Sequence, residues 1–594
     1  MSATGWSVRR SAPSPMLRPS PPNRSSKNFR KTSSMQSSRE GARRRGIAVG
    51  RLSEEAPMSE HATTVTWTLN GKQVESPPGL TIMEAAKLHD LEIPNFCYHP
   101  GLSIAGNCRI CFVESNRSPK PVISCSERIA EGLEIQTHSE MALEARNSVM
   151  EFQLINHPLD CPVCDKAGEC VLQDHSYTHG PDRSRFEENK TIRHTKKLGS
   201  TISIWGNRCI VCTRCVRFCD EITGTGELCV VERGDRSVVD VFPGLPIENS
   251  LAGNVIDICP VGALIGEDFK FEARIWDMKK TSSVCAGCSR GCNIEVQSLD
   301  GFAKRIVARE NPEVNEWWIC DRGRYDYRYL LAADRVTDAS AGGEPIDSDT
   351  ADSSLNDLVS ENGGIVGILV DPMMTCEELH LVNRLSSTLS DCQVAAWSTA
   401  DGEAESFPNG FTISSDLHPN RAGVGAIIGK DAFSTVAKGL RRSLDAGDID
   451  LLIVFAGFPH PDLEKKWIES IGKAKVRIVF SLQSGSWCEG ADLLLPSTAP
   501  LEKEGSYLNQ DGRLQRVRTL IAAGQQPFPS ELVRLQALLT HLGERPRSVS
   551  SSGVFRELAS SVEAFSDQSH STLGESGCVL SSGKSAVGSM GGDA

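Results

Sequence analysis

Residues 206–222 read GNRCIVCTRCVRFCDEI, and the spacing within this stretch decides what kind of structure the chain builds. Cys209, Cys212, Cys215 and Cys219 stand at C-x2-C-x2-C-x3-C. This is half of the run by which small two-cluster iron–sulfur proteins bind cubanes, where three cysteines hold one cluster and the fourth belongs to the other. Here the second half is reduced to a single Cys259-Pro260, forty residues further on. One four-iron cluster is therefore assigned to Cys209, Cys212, Cys215 and Cys259, and Cys219 is left over as a buried thiol, as is Cys229. Arg208, Arg214 and Arg217 punctuate the run. They are read either as cations that stabilise reduced clusters or as surface and interface charges.

Three further groups surround this one. Upstream, INHPLDCPVCDKAGEC (155–170) places His157, Cys161, Cys164 and Cys170 at H-x3-C-x2-C-x5-C, after a helical stretch, SEMALEARNSVMEFQLIN (139–156). A histidine four residues before three cysteines is read as a ligand of a second four-iron cluster, with a zinc site of three cysteines and one histidine as the competitor. Further upstream, FCYHPGLSIAGNCRICFVE (96–114) and Cys125 give Cys97, Cys108, Cys111 and Cys125 at C-x10-C-x2-C-x13-C. VTWTLNGKQVE (65–75) predicts a hairpin with an Asn-Gly turn, and TIMEAAKLHDL (81–91) predicts a short helix after a Thr cap. Hairpin, helix and Cys-rich loop is the layout of a ferredoxin-type β-grasp domain, and the loop HPGLSIAGN leaves room to wrap a two-iron cluster. A zinc knuckle is disfavoured because only one CxxC pair is present. Downstream, Cys285, Cys288, Cys292 and Cys320 at C-x2-C-x3-C-x27-C offer three close thiolates and a distant fourth for another cubane.

The composition agrees. Of 21 cysteines, 17 lie between Cys97 and Cys320, a density that in a long chain without a secretory signal points to metal rather than disulfides. Cys376, Cys392, Cys488 and Cys578 are scattered singly and are read as core or surface residues. The chain has 594 residues, so several domains are expected. Its longest apolar runs, near Ile365–Val370 and Leu451–Phe455, have the length of buried strands and fall short of the roughly 20 residues of a membrane span. Any membrane association is therefore expected to come through a partner. The formal charge is −13, but residues 1–57 carry twelve Lys and Arg against three Asp and Glu. The rest of the chain is thus strongly acidic, which argues against nucleic acid as a partner. Residues 1–57, rich in Ser, Pro and Arg, are expected to be a disordered extension, either an organellar transit peptide or a stretch upstream of a natural start at Met58.

Beyond residue 336 the character changes. After a Ser/Asp/Gly-rich connector at 337–362, apolar runs (GGIVGILV, DLLIVFAG, VRIVFSL) alternate with helical stretches (CEELHLVNRLSSTL, FSTVAKGLRRSL, ELVRLQALLTHL) up to about residue 543. This alternation predicts an α/β domain with a largely parallel sheet. Phosphate-loop signals fail: Gly423, Gly425 and Gly429 are misspaced, and Gly429-Lys430 is followed by Asp431. Residues 546–594 are Ser/Gly-rich and are expected to be disordered, with VFRELASSVEAF as one potential helix.

These segments, together with GNVIDICPVGAL (253–264) and NEWWICDRGRYDY (315–327), resemble the large iron–sulfur (G) subunit of bacterial NADH:quinone oxidoreductase, respiratory complex I. The likeness runs from about Thr64 to Leu330 and continues more weakly through LLLPSTAPLEKEGSYLNQDGRLQ (493–515), which is similar to a molybdopterin-oxidoreductase domain. It implies a multidomain α+β chain: a 2Fe-2S β-grasp domain at 58–138, a helical 4Fe-4S domain with one histidine and three cysteine ligands at 139–198, and a ferredoxin-like 4Fe-4S domain at 199–277. A molybdopterin-oxidoreductase-type 4Fe-4S domain would follow at 278–336, then a shortened α/β domain of that type at 337–545. It further implies one 2Fe-2S and three 4Fe-4S clusters, no molybdopterin and no substrate site. Electrons would come from a flavin- and NADH-binding subunit and pass the first cluster, the Cys209 cubane and the His157 cubane on the way to quinone. The Cys285 cubane would lie off that line. The other partners implied are further iron–sulfur subunits, in a peripheral arm attached to membrane subunits on the cytoplasmic side of a bacterial inner membrane, or on the matrix side of a mitochondrial one if residues 1–57 are a transit peptide. Rival readings share the first half. An NAD-linked formate dehydrogenase needs a longer pterin region, an iron-only hydrogenase a further Cys-rich domain, and a hydrogenase diaphorase subunit would stop before Cys285. A zinc-rich interaction scaffold would be redox-silent.

Overall fold

The computed structural model describes residues 64–397, 401–458, 465–521, 527–545 and 548–580. The expected extension at 1–57 and the end of the expected tail, 581–594, lie outside the described residues. The Asn-Gly hairpin forms as its sequence dictates. Val65–Leu69 and Lys72–Ser76 pair antiparallel across Asn70 and Gly71, both at positive φ (50° and 80°), which matches the twist of the flanking strands. A five-stranded sheet grows from it in the order Lys72–Ser76, Val65–Leu69, Glu134–Gln136, Phe112–Ser115, Ser118–Ile123, with Val65–Leu69 and Glu134–Gln136 parallel. The helix Ile82–Lys87 starts with a capping box between Thr81 and Glu84 and buries Ile82, Met83, Ala85 and Ala86 against Trp67, Val113 and Ile135.

The helix Glu140–Leu154, capped by Ser139, leads out of this sheet, and buried Arg146 donates from Nε to the carbonyl of Phe112 (3.1 Å). A second helix, Val171–His179, returns, so the loop between them carries the His157–Cys170 group. Next comes a three-stranded antiparallel sheet (Leu264–Gly266, Ile202–Trp205, Thr195–Lys197), a hairpin of Leu228–Val231 with Val238–Val241, and a short helix, Asn254–Ile258, that ends at Cys259. An antiparallel meander, Lys279–Val284, Asn293–Leu299 and Phe302–Ala308, holds the fourth group with the helix Asp321–Tyr325.

The remainder is a seven-stranded sheet in the order Glu344–Ile346, Ala339–Ala341, Leu493–Pro496, Val476–Ser481, Leu451–Ala456, Ile365–Val370, Asp391–Ala396. The last five are mutually parallel, as the continuous apolar runs predicted. Alternate residues feed two cores: Val366, Ile368, Ile453, Phe455 and Phe480 on one face, Leu369, Leu452, Val454 and Val479 on the other. The stretch read as a connector belongs to this domain, because it supplies two edge strands and the helix Ser348–Glu361 with Leu355 and Val359 buried.

The expected disordered tail requires correction over 548–580. The helix Ser551–Ser561 buries Val554, Phe555 and Leu558, and Cys578–Val579 pairs with Arg513–Leu514 as the third strand of a small sheet. Widely spaced apolar residues, ending in Phe565, Leu573 and Leu580, dock on the α/β core although Ser and Gly dominate the composition. Among the described residues no helix is long and apolar enough to cross a membrane.

Candidate metal centres

One continuous core joins Cys97 and Cys108 of the first group, Cys170 of the second, Cys212, Cys215 and Cys259 of the third, and Cys285, Cys292 and Cys320 of the fourth. In the first group all four thiols are buried and fall into two pairs, Cys97 hydrogen-bonded to Cys108 and Cys111 to Cys125. Within each pair one thiol is held down by its partner's hydrogen bond and the other pushed up. Arg109, between Cys108 and Cys111, takes a left-handed backbone (φ 64°), an unusual conformation for a side chain of that length.

In the second group Cys164 and Cys170 are buried while Cys161 is exposed. Burial raises both buried thiols, Cys170 to about 11, and each feels Cys161. Burial first, then the charges of Arg208 and Lys190, lower His157 to about 4, so the imidazole is neutral and able to ligate a metal. The charge of Arg208 acts on both His157 and Cys164. The third group's Cys259-Pro260 loop packs directly on the second. Val171 N–H donates to the carbonyl of Pro260 (3.1 Å), and a Cβ on Gly262 would lie 2.2 Å from Cys164 Sγ.

In the third group Cys209, Cys212, Cys215 and Cys259 all act on one another. Burial pushes Cys209 to about 11, Cys212 to about 12 and Cys215 far up. Between them, Val211 (φ 51°) and Thr213 (φ 63°) are β-branched residues in the left-handed region, where they are true outliers. Backbone turned in this way can aim successive N–H groups inward as an anion cradle, and Val211 N–H already donates to Cys209 Sγ (3.4 Å). Nothing in the composition of the run announces this strain. Cys219 sits in a π-turn, Phe218–Ile222, where its thiol accepts from the Leu228 N–H and its charge acts on Cys215. Cys229 bonds to the Asp240 carbonyl across its hairpin.

Helix Arg214–Arg217 ties the third group to the first. Arg214 donates to the carbonyls of Ile258 (3.1 Å) and Tyr98 and to Asn95 Oδ1 (3.0 Å), and Arg217 donates to the carbonyls of Cys97 (2.5 Å), Ser103 and Cys212 (3.4 Å). These two arginines are internal ties rather than surface charges.

The fourth group is buried throughout. Cys285 N–H donates to the Cys292 carbonyl (2.8 Å), Gly287 N–H to Cys285 Sγ and Gly323 N–H to Cys320 Sγ (3.4 Å each). Burial drives Cys285 and Cys292 well up and Cys320 to about 11. Cys376, Cys392, Cys488 and Cys578 are brought to none of these groups. Cys376 faces Asn420 and Cys578 faces Gln568.

Spacing speaks to the kind of metal. A tetrahedral zinc with Zn–S bonds of about 2.3 Å draws its sulfurs to about 3.8 Å from one another. Among the described residues the one trio of His, Cys, Asp or Glu with ligand atoms all within 4.8 Å is Asp401, Asp416 and His418. The cysteine groups are therefore wider than a single zinc ion requires and suit a multi-iron cluster. The Asp401 trio already has its cation, because Arg421 contacts Asp416 (2.9 Å), His418 Nδ1 (2.9 Å) and Asp401 (3.7 Å).

At the C-terminal ends of the parallel strands, where open α/β sheets commonly bind ligands, the chain places charges of its own. Buried Lys503 Nζ lies 2.9 Å from Glu378 and 3.1 Å from Glu531, and Glu531 also accepts from Ser497 and Thr498. Asp371, at the end of Ile365–Val370, accepts from the N–H groups of Met373 (2.7 Å) and Gly457 (2.5 Å). The sequence reading missed this network, although LEKEGSY (501–507) holds its lysine.

Comparisons with known proteins match four separate stretches to family models. They are a 2Fe-2S iron–sulfur cluster binding domain (62–140), the NADH-ubiquinone oxidoreductase-G iron–sulfur binding region (146–185), the ferredoxin-like domain of NADH-quinone oxidoreductase subunit 3 (199–265) and a molybdopterin oxidoreductase Fe4S4 domain (278–331). Among curated proteins, the G subunit of the NADH-quinone oxidoreductase of Rickettsia bellii is 42% identical over 260 residues, 44% of this chain and 38% of its own. The mitochondrial NADH dehydrogenase [ubiquinone] iron–sulfur protein 1 of Solanum tuberosum is 46% identical over 259 residues, 44% of this chain and 35% of its own. The NADH-ubiquinone oxidoreductase 75 kDa subunit of Reclinomonas americana is 44% identical, over 44% of this chain and 38% of its own. The match thus spans well under half the length of these relatives. A chain of an NAD+-reducing [NiFe]-hydrogenase in the H2-reduced state matches 36% of this chain and 91% of its own at 29% identity, with a TM-score of 0.32. Over its iron–sulfur region the chain is therefore homologous to the G, or 75 kDa, subunits of NADH:quinone oxidoreductases.

Proposed function

We propose that this chain is an iron–sulfur electron-transfer subunit of an NADH:quinone oxidoreductase, built on four ligand sets. Cys97, Cys108, Cys111 and Cys125 hold a 2Fe-2S cluster, with the Cys97–Cys108 and Cys111–Cys125 pairs serving one iron each. His157, Cys161, Cys164 and Cys170 hold a 4Fe-4S cluster, as do Cys209, Cys212, Cys215 and Cys259, and Cys285, Cys288, Cys292 and Cys320. Cys219 is a bystander. The domain limits follow the ligand sets: 58–138, 139–198, 199–277 and 278–336, with the α/β domain from 337. When bound, the clusters supply one-electron carriers between a flavin-bearing, NADH-oxidising partner and the iron–sulfur subunits nearer quinone. Such a chain sits in a peripheral arm on the cytoplasmic or matrix face of its membrane.

The residues do the rest. Thiolates supply soft ligands that iron accepts, neutral His157 removes one negative charge from its site, which favours the reduced form, and the strained 209–215 loop aims N–H groups at anionic sulfur. The observation that carries this reading is the convergence of four separate ligand sets in and around one continuous core. Its test is the metal content of anaerobically purified protein: about fourteen irons with matching sulfide are expected, and one two-iron and three four-iron EPR signals after reduction. Stoichiometric zinc with little sulfide would sink it.

A further inference from the structure

Arg208 directly precedes Cys209, yet its side chain turns toward the other cubane site. It is 1% exposed, and its guanidinium lies 4.1 Å above the ring of Trp205. Nε donates to Asp160 Oδ2 at 3.1 Å, next to Cys161 in the chain. The two terminal nitrogens, Nη1 and Nη2, are buried and find no acceptor among the described residues. Burying guanidinium N–H groups without partners is costly and rare, so such donors call for an explanation. Nearby, the charge of Arg208 acts on His157, Cys164 and Asp165. The other cation at His157, Lys190, already donates to the carbonyls of Leu154 (2.8 Å) and Ile155 (2.9 Å). The acceptor missing from the chain is therefore buried and lies beside Asp160, in the loop that carries the second group.

We propose that Arg208 donates through Nη1 and Nη2 to sulfur of the four-iron cluster held by His157, Cys161, Cys164 and Cys170, and so raises its reduction potential. The proposal rests on the ligand assignment made above. Hydrogen bonds to sulfur and local positive charge both stabilise the reduced cluster, and Arg208 supplies both from a fork held by Asp160 on one side and Trp205 on the other. It is a positioning and tuning residue, not a ligand. Its place in the chain gives it a second meaning: the backbone that carries it continues at once into Cys209 of the neighbouring cubane, so one residue links the environments of two successive sites.

The test is an EPR-monitored redox titration of the full-length, cluster-loaded protein, comparing wild type with R208Q, R208K and D160N. R208Q is expected to make this one cluster at least tenfold harder to reduce, about 59 mV for a one-electron couple, with the other three unmoved. R208K, which keeps the charge but not the fork, should fall between. D160N removes a negative charge while leaving Arg208, so the shift should be upward. Exchange into D2O should remove exchangeable proton couplings from this cluster's pulsed-EPR spectrum, and R208Q should lack the part of them that the Arg208 guanidinium contributes in wild type, keeping those of the backbone N–H groups at Cys164 and Cys170. A loaded R208Q protein with an unchanged midpoint overturns the proposal. If R208Q fails to load, R208K decides, and an unchanged midpoint in that variant overturns it. Failure of the underlying assignment looks different: wild-type protein would then lack a third four-iron signal altogether.

Discussion

Gly262 shows how little room separates neighbouring cluster sites. It follows Cys259-Pro260, the proposed distant ligand of the third group, and a single methyl there would collide with Cys164 of the second, at 2.2 Å. A clash of this size cannot be absorbed by a rotamer change in a packed interior. Gly262→Ala should therefore abolish or strongly distort the EPR signal of the His157 cluster while the two-iron signal survives. Cys219→Ser is the control: its thiol accepts from the Leu228 N–H and lies outside the proposed ligand set, so all four signals should persist. If C219S erased the third cluster and G262A left the second intact, the contacts between these groups would be misassigned. At this scale cysteine spacing proposes the donors, because a cluster needs several thiolates at once, and is silent about their surroundings. The need for glycine at 262, the left-handed backbone at Val211 and Thr213, and the open donors of Arg208 arise only when distant segments meet.

Among the elements, legibility followed local chemistry. Asn70-Gly71 announced its hairpin because few other pairs take two positive φ angles. Thr81 announced its helix because its side chain satisfies a free N–H group, as Ser139 does at the next helix in the structure. In the 548–580 segment the expected helix over VFRELASSVEAF forms, but the docking of the whole segment was not legible because its stabilisation is tertiary: a few apolar residues pack on a core built by the chain before it. That segment also reaches back to the fourth group. Asn293 Nδ2 donates to the Glu575 carbonyl (3.0 Å), Arg309 to the same carbonyl (2.8 Å) and Arg518 to the Glu575 carboxylate (2.7 Å). Truncation after residue 545 should thus loosen the meander around Cys285, Cys288 and Cys292. The expected outcome is about ten irons per chain instead of about fourteen, with the first three EPR signals retained. A truncated chain with full iron content would show that the return contact is dispensable.

For the whole molecule, the parallel sheet was the most legible feature, since strands buried on both faces must be apolar throughout. What sits at its C-terminal end was not legible, because a buried Lys–Glu–Glu cluster looks in sequence like ordinary surface charge. Burial opposes the charge on Lys503, but Glu378 and Glu531 more than restore it and hold it above its usual value. Burial raises Glu378 to about 7, against an ordinary 4.5. Between those values the folded chain holds a proton that the unfolded chain has released. The stabilisation from Glu378 is therefore present below that window and is lost as pH rises through it. Lys503→Met leaves the carboxylates uncompensated, which should cost about 3–5 kcal/mol. The loss should be largest near pH 8 and smaller near pH 5, where Glu378 takes up a proton. Thermal unfolding of the two proteins across that range measures it, and equal losses at both pH values would refute the account.

Fifteen of the sixteen proposed ligand positions are shielded to some degree, and the sixteenth, Cys161, is exposed, next to Leu159 and Val163, which are exposed as well. In the isolated chain, dioxygen and chelators meet one corner of one cluster before any other. Damage in air would then follow an order set by burial, beginning at that corner and reaching the enclosed fourth group last. That exposure makes this site the fuse of the molecule.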